Sequence, residues 1–294
     1  MPSPLVISIV VLTWILIVVG ILLNFFIVAV TVIWWFQSKR LEIINIILAS
    51  IGMSRLALIL FFVVIFPWVP ISDALFAVLS MYVTFCCLWF DTILCVFYCV
   101  KICNYNHPFF MYLKLRIFKM VPWMFLMSIT ASMICSLPFG WLVFTTIINN
   151  TTNSTNSTNS TQDGSTPLQI NMFNIFILYL SGCFVPFFIF CIAICLLIRS
   201  LWKHIGHMTG SNVGLGNPRL HAHIRAVRTM VSFLVIYIIF FISSTFKFVP
   251  SMINNTTVQL LLNVIICWYP TMHSVVLVVM NRKMKLLLYH FLCC

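Results

Sequence analysis

Five polar residues interrupt long apolar stretches of the sequence: Asn24, Arg55, Asp91 and the pair His273-Ser274. A polar group buried among apolar neighbours costs free energy unless it finds a partner, so we expect these side chains to face one another. An inward-facing Arg55 that reaches Asn24 and Ser274 would tie three helices together, either as a two-state switch or as a fixed packing bridge. Asp91 has two open alternatives, an ion pair with Arg55 or a protonated carboxyl that bonds a nearby hydroxyl.

Catalytic patterns are absent from the sequence. The chain has only four acidic residues, and it contains neither a phosphate-binding glycine loop nor a His-Glu-x-x-His motif. The spacing of Cys95, Cys99 and Cys103 places three thiols on one helix face, where they can pack against a neighbour or bind a metal, and packing is the more frequent role of such residues. We therefore expect no enzyme, no cofactor and no metal site.

The composition requires a membrane. Hydrophobic residues make up 63% of the 294 positions and charged residues only 7%, too few to solvate a soluble domain of this size. The apolar segments are long and apolar on all faces, which predicts helices and argues against a membrane β-barrel. We predict an all-α bundle of seven transmembrane helices over residues 5–35, 43–66, 74–101, 121–148, 172–199, 227–249 and 258–280.

Charge gives the orientation. Fourteen of the sixteen lysines and arginines fall in the connections and tail at one face, and only Arg55 and Lys247 lie elsewhere. The positive-inside rule places that face in the cytoplasm, so we expect an extracellular N-terminus and a cytoplasmic tail over residues 281–294. The net charge of +12 then reflects topology and contact with anionic membrane lipid, and we expect no nucleic acid partner.

Glycosylation sequons support the same orientation. All of them begin on the face expected to be outside, at Asn149, Asn150, Asn153, Asn156, Asn159, Asn254 and Asn255. Residues 149–166 are of low complexity and too polar to pack, so we predict a flexible extracellular loop there.

One stretch, from Trp89 to Ile117, resembles the third-helix signature of the taste receptor type 2, or bitter taste receptor, family of G-protein-coupled receptors. The matching positions are Trp89, Thr92, Leu94, Val96, Phe97, Tyr98, Lys101, Ile102, Asn104, His107, Pro108, Phe109, Leu113, Lys114, Arg116 and Ile117. Further similarities lie at Asn24, at Ser54-Arg55, in residues 196–204, and in the segment from His273 to Lys285.

The resemblance implies a plasma-membrane receptor that detects small, mostly apolar bitter compounds and activates a heterotrimeric G protein with a gustducin-type α subunit. We expect the polar residues within the spans, Asn24, Arg55, Asp91, His273 and Ser274, to form the switch. The family's G-protein contacts correspond to Tyr98, Lys101, His107, Lys114, Arg116 and His204. Its pocket positions, in the outer half of the bundle, correspond to Ser80, Thr84, Phe85, Tyr179, Phe240, Ser244, Lys247, Asn263 and Ile266.

The sequence also departs from the family pattern. Asp91 stands where the family usually has alanine, and Ser80 and Thr84 stand where many members carry tryptophan and asparagine, so known agonists do not transfer to this chain. Two other function classes stay open: a pheromone-type chemosensory receptor, which would share the topology, and a small multi-pass transporter, which the scarcity of acidic residues disfavours.

Overall fold

The computed structural model describes residues 4–38, 42–61, 63, 72–103, 108–155, 167–209, 218–247 and 256–293. Within this part of the chain the regular structure is helical. The helices are α1 Pro4–Ser38, α2 Ile43–Leu60, α3 Asp73–Ile102, α4 Pro108–Thr155, α5 Pro167–Thr209, α6 Pro218–Phe246, α7 Thr256–Met280 and α8 Arg282–Cys293. A bilayer offers no hydrogen-bond partners to a backbone, so apolar segments of this length become helices.

Seven of the described helices, α1 to α7, are long and apolar enough to cross a membrane, in agreement with the predicted bundle. Their transmembrane parts run over Pro4–Gln37, Ile43–Leu60, Asp73–Ile102, Phe110–Thr145, Phe173–Ser200, Val227–Phe246 and Thr257–Met280.

The described helices differ from the sequence-based prediction mainly at their ends. Helix α4 begins at Pro108, so Lys114, Arg116 and Lys119 are helical, whereas a connection was predicted there. Proline favours the first turn of a helix, where its missing N–H is not needed. At its other end α4 continues to Thr155, seven residues into the stretch predicted as a loop, and residues 156–166 lie outside the described part.

The tail is also helical. Asn281 lies between α7 and α8, and its Oδ1 accepts hydrogen bonds from the backbone N–H groups of Lys283 (3.2 Å) and Met284 (3.4 Å). These bonds satisfy two of the free donors at the start of α8, as an N-cap does. The predicted tail over residues 281–294 is therefore an ordered helix across Arg282–Cys293.

Helix α3 is the centre of the bundle. It packs against α2, α4, α5 and α6, and the ring of neighbours closes where α7 contacts α1. In its most apolar window 72% of the residues are buried, compared with 11% in α1, so α3 faces protein while α1 faces lipid. The predicted functional stretch from Trp89 therefore starts on the most buried of the seven spans.

Close contact between α3 and α5 depends on Gly182. A Cβ atom added there would lie 2.5 Å from Cζ of Phe85, a side chain that is fully buried and also packs near Phe139 and Tyr179. A side chain at position 182 therefore forces the buried ring or the two helices to shift.

We predict that Gly182→Ala destabilises the receptor by about 1–3 kcal/mol, the usual cost of overpacking a core. The measurement is thermal unfolding of the purified receptor in detergent, followed by a dye that reacts with newly exposed cysteine thiols. Ser181→Ala, at the exposed neighbouring position, is the matched control. Combining Gly182→Ala with Phe85→Leu should recover part of the loss, and a single variant as stable as the wild type would contradict the prediction.

Candidate functional site

The guanidinium group of Arg55 lies at the centre of the bundle. It is fully buried, and its Nη2 donates to Oδ1 of Asp91 over 2.5 Å, forming a buried ion pair between α2 and α3. Its Nη1 donates to Oγ of Ser274 on α7 at 2.9 Å. Of the two alternatives that the sequence left open for Asp91, the geometry places the ion pair with Arg55 in the structure.

The other carboxylate oxygen of Asp91 is held from α7. The hydroxyl of Tyr269 donates to Oδ2 at 2.6 Å, and Nε2 of His273 lies 3.6 Å from the same oxygen. The other ring nitrogen of His273, Nδ1, contacts Nη2 of Arg55. Asp91 therefore has a cation and a hydroxyl as partners, which compensates for the loss of hydration in the bundle.

Asn24 joins the network through Ser274. The Ser274 hydroxyl donates to Oδ1 of Asn24 at 2.7 Å, and Nδ2 of Asn24 donates to the carbonyl of Gly20 at 2.8 Å. The structure thus brings together all five residues predicted as the switch, with Ser274 as the link between Arg55 and Asn24. Their role in switching remains a prediction.

A fifth helix contacts the network through an aromatic ring. Phe233 of α6 stacks on the imidazole of His273, with 3.6 Å between ring centroids and an angle of 14° between the planes. Helices α1, α2, α3, α6 and α7 therefore meet at one buried cluster, which we call the polar network: Asn24, Arg55, Asp91, Tyr269, His273 and Ser274.

A cavity of about 410 Å³ lies on one side of the polar network. Its wall is mostly apolar, and its volume falls within the range of small-molecule sites. Of the nine predicted pocket residues, six line it: Thr84, Tyr179, Phe240, Ser244, Lys247 and Ile266.

Three predicted pocket residues lie outside this cavity. Ser80 is buried, and its hydroxyl donates to the carbonyl of Ala77 at 3.0 Å. Phe85 is buried in the contact with Gly182, and Asn263 is exposed on α7. The ligand-binding roles of all nine residues stay predictions.

Lys247 is the one charged residue among those that line the cavity. It lies one residue past the sixth span, and burial lowers the pKa of its amino group because the ammonium ion loses hydration.

The sequence reasoning missed several residues of the cavity wall. Helical spacing was a usable signal for some of them: Tyr269 and Pro270 lie three and four positions after the predicted Ile266, and Met81, Cys87 and Leu88 lie three or four positions from the predicted Thr84. The residues of α1 and α2 line the cavity because of how these helices approach in the tertiary fold. The missed residues are Ile17, Leu58, Ile59, Val63, Met81, Cys87, Leu88, Gln259, Cys267, Tyr269, Pro270 and Thr271.

A second, smaller cleft of about 290 Å³ lies on the other side of the polar network. On α3 the cavity is lined up to Leu88 and the cleft from Leu94 onward, with Asp91 between them. Phe233, which stacks on His273, also lines the cleft. The polar network therefore separates the two openings.

Those predicted G-protein contacts that the structure describes lie at the cleft end of the bundle. Tyr98 lines the cleft, Lys101 is exposed with its Nζ 5.6 Å from the ring centroid of Phe97, and Nζ of Lys114 donates to the carbonyl of Cys103 at 3.5 Å. Arg116 lies over the ring of Tyr112 at 4.8 Å. His107 falls outside the described residues, as does the side chain of His204.

The sequon asparagines lie mostly beyond the described part of the chain. Asn149, Asn150 and Asn153 belong to the last turns of α4, and their side chains are not described. The remaining predicted sites, Asn156, Asn159, Asn254 and Asn255, are outside the described ranges. Their glycosylation stays a prediction.

The thiols of the Cys95, Cys99 and Cys103 face pack against α5. Sγ of Cys103 lies 3.7 Å from the carbonyl oxygen of Leu196, and Sγ of Cys95 lies 4.0 Å from that of Phe190. Among the described residues no group of three or more metal-ligating side chains converges.

We predict that Arg55→Met destabilises the receptor by about 3–5 kcal/mol, because it leaves the Asp91 carboxylate buried without its counter-charge. Asp91→Leu should cost a similar amount by leaving the guanidinium unpaired. The double variant should recover most of either loss, since it buries no uncompensated charge. Thermal unfolding in detergent measures all three, and a double variant whose loss equals the sum of the single losses would contradict a direct pairing.

The sequence is similar to those of known proteins along nearly its whole length. Residues 1–294 match the taste receptor protein (TAS2R) family. The chain is 31% identical over 285 residues to taste receptor type 2 member 7 of Papio hamadryas, covering 91% of this chain and 87% of that protein. It is 31% identical over 280 residues to taste receptor type 2 member 40 of Gallus gallus, covering 92% and 89% of the two chains.

A third relative extends the match. Taste receptor type 2 member 8 of Gorilla gorilla gorilla is 30% identical over 295 residues, covering 94% of this chain and 92% of its own length. The family predicted from the third-helix signature is thereby confirmed, and with it a multi-pass receptor of the plasma membrane. This chain belongs to the taste receptor protein (TAS2R) family, the bitter taste receptors.

Proposed function

We propose that this bitter taste receptor binds a small, mostly apolar agonist in the 410 Å³ cavity and activates a heterotrimeric G protein of the gustducin type at the opposite end of the bundle. The observation that carries the proposal is Tyr269, which belongs to both the cavity wall and the polar network. In the proposed orientation the cavity faces the outside of the cell and the cleft faces the cytoplasm, as the distribution of lysine and arginine requires.

The cavity suits an apolar ligand with few polar groups. Eleven of the eighteen lining residues are aliphatic residues, methionine, phenylalanine, proline or cysteine, and the hydroxyls of Thr84 and Ser244 are among the few hydrogen-bonding groups of the wall. Burial of an apolar ligand against such a wall supplies most of the affinity, and the polar groups fix its orientation.

Tyr269 provides the link from ligand to polar network. A ligand that moves the Tyr269 ring also moves the hydroxyl that holds Oδ2 of Asp91, and the same carboxylate holds Arg55. Asp91 is also 3.6 Å from His273, whose ring stacks on Phe233 at the cleft. A ligand with different affinities for two arrangements of this network shifts the population toward one of them.

The cleft end is suited to a G protein. Arg225 and Arg282 line the cleft beside Tyr98, and Lys101 ends α3 nearby. In the activated arrangement we propose that the inner end of α6 moves away from α3 and widens the cleft, so that a segment of the G-protein α subunit contacts Tyr98, Lys101, His107, Lys114, Arg116 and His204.

The test is agonist-dependent nucleotide exchange on reconstituted G proteins, with a panel of bitter compounds and the wild-type receptor. We expect exchange on a gustducin-type α subunit. A receptor that produces no exchange with any G protein, but accumulates a compound inside sealed vesicles, would instead be a transporter.

With an agonist in hand, we predict that Phe240→Ala raises its half-maximal concentration at least about tenfold, because a lost apolar contact costs about 1.5–3 kcal/mol. Phe241→Ala is the matched control: Phe241 is the next residue of α6, and it stacks on Phe187 outside the cavity. We expect its effect on agonist potency to stay below about threefold. Equal effects of the two variants would place the agonist elsewhere.

We predict that Tyr269→Phe changes signalling more than binding. The variant keeps the ring at the cavity and removes the hydroxyl bond to Asp91, so agonist affinity without G protein should change less than about threefold while basal exchange rises, because a hydrogen bond to a charged group contributes about 1.5–3 kcal/mol. Tyr237→Phe is the control, since the buried Tyr237 hydroxyl has no hydrogen-bond partner among the described residues. Unchanged basal exchange and unchanged agonist efficacy in Tyr269→Phe would remove the polar network from the switch.

A further inference from the structure

A groove of about 740 Å³ lies between the first turns of α6, the end of α7 and α8. Four cations line it: Arg225 and Arg228 from α6, and Arg282 and Lys285 from α8. Tyr289 completes the wall, with Nζ of Lys285 5.7 Å from its ring centroid. We call this the basic groove.

These four positive charges have no carboxylate beside them among the described residues. Both ion pairs in that part of the chain use Asp91. Glu42 lines a different pocket together with Lys283, and Asp73 begins α3 at the other end of that helix from Lys101. The fourth acidic residue, Asp163, lies outside the described ranges. No carboxylate of the described residues therefore supplies a counter-charge to the basic groove.

The apolar part of the basic groove indicates which class of molecule fits there. Val279, in the last turn of the seventh span, is 46% exposed, and Leu286 and Tyr289 on α8 are 61% and 56% exposed. An apolar surface at membrane depth continues directly into a cluster of cations at the membrane boundary. Acyl chains and a phosphorylated headgroup match these two parts, whereas a water-soluble acidic peptide would leave the apolar part uncovered.

The position of the basic groove separates it from the cleft proposed for the G protein. Helices α6, α7 and α8 alone line the groove, so it lies at the edge of the bundle, while residues of α2 and α3 line the cleft. Arg225 and Arg282 border both openings, but Arg228, Lys285 and Tyr289 line only the groove. Substitutions at these three residues therefore separate lipid binding in the groove from G-protein contact at the cleft.

We propose that the basic groove binds the headgroup of a multiply phosphorylated inositol phospholipid of the cytoplasmic leaflet. Four cations match a headgroup with several phosphates, whose monoesters each carry about −1.5 to −2 charges at neutral pH, better than the single net charge of phosphatidylserine. The bound lipid bridges α6 to α8, and through this contact it acts on the helix whose inner end is proposed to move.

The test measures binding of dioctanoyl phosphatidylinositol bisphosphate to the purified receptor in nanodiscs of neutral phosphatidylcholine. Arg228→Gln/Lys285→Gln should weaken binding by about thirtyfold, because each cation near the surface contributes about 1 kcal/mol, or a factor of about five. Lys283→Gln/Lys119→Gln is matched in net charge and should change binding less than about threefold. Lys283 lies on the same helix as Lys285, but its Nζ is 5.8 Å from the ring of Trp34, away from the basic groove.

Two further arms identify the ligand. Soluble inositol trisphosphate tests for a free phosphate ligand, and dioctanoyl phosphatidylserine tests for general attraction to anionic lipid. Both should bind at least about tenfold more weakly than the bisphosphate lipid, since the first lacks the acyl chains and the second carries only a single net charge. Arg228→Lys/Lys285→Arg retains the charge and should bind the lipid within about threefold of the wild type, which shows that the loss in the glutamine variant comes from the removed charges.

Several outcomes would overturn the proposal. Equal affinity for phosphatidylserine and the bisphosphate lipid would mean general electrostatic attraction, and equal affinity for inositol trisphosphate would mean a phosphate site without a lipid. An equal loss in the matched control would mean that net charge alone matters. If the glutamine variant binds lipid as the wild type does but loses nucleotide exchange, the groove contacts the G protein. The lipid-binding measurements need no agonist, so their failure leaves the proposed receptor function standing.

Discussion

The bundle depends on one buried ion pair. Arg55 and Asp91 have lost their hydration in the middle of the membrane-spanning helices, where either charge alone would be strongly destabilising. Their side chains must therefore meet, and this requirement brings α2 against α3. The remaining donors and acceptors of the pair bring in Tyr269, His273 and Ser274 from α7, and through Ser274 the network reaches Asn24 on α1. The buried ion pair and its hydrogen-bond partners thus set the relative positions of four helices.

The ion pair lies between the two openings of the bundle. The cavity and the cleft lie on opposite sides of the polar network, and two aromatic rings extend it: Tyr269 toward the cavity and Phe233 toward the cleft. Asp91 joins Tyr269 to Arg55, because its carboxylate accepts a hydrogen bond from Tyr269 at one oxygen and pairs with Arg55 at the other.

Sequence patterns predicted the helices better than their ends. Long apolar runs set the seven spans, since a bilayer leaves a backbone no alternative to helix. The helices extend beyond the apolar runs in α4, α5 and α6, because helical hydrogen bonding continues into water once a turn is formed, and no hydrophobic signal marks where it stops. The capping of α8 by Asn281 depends on a local amide contact, which hydropathy does not detect.

The sequence by itself determined the membrane class, the family and which polar residues had to find partners. It could do so because motif spacing and the free-energy cost of burying each residue type are properties of the chain. Which partners the polar residues found was decided only by the tertiary structure. Arg55 and Asp91 are 36 positions apart, and Arg55 and Ser274 are 219 apart, so no local pattern encodes either contact. The same holds for the cavity, where Tyr269 was not predicted and Ser80, Phe85 and Asn263 lie outside the wall, because the direction in which a side chain points depends on how each helix is rotated against its neighbours.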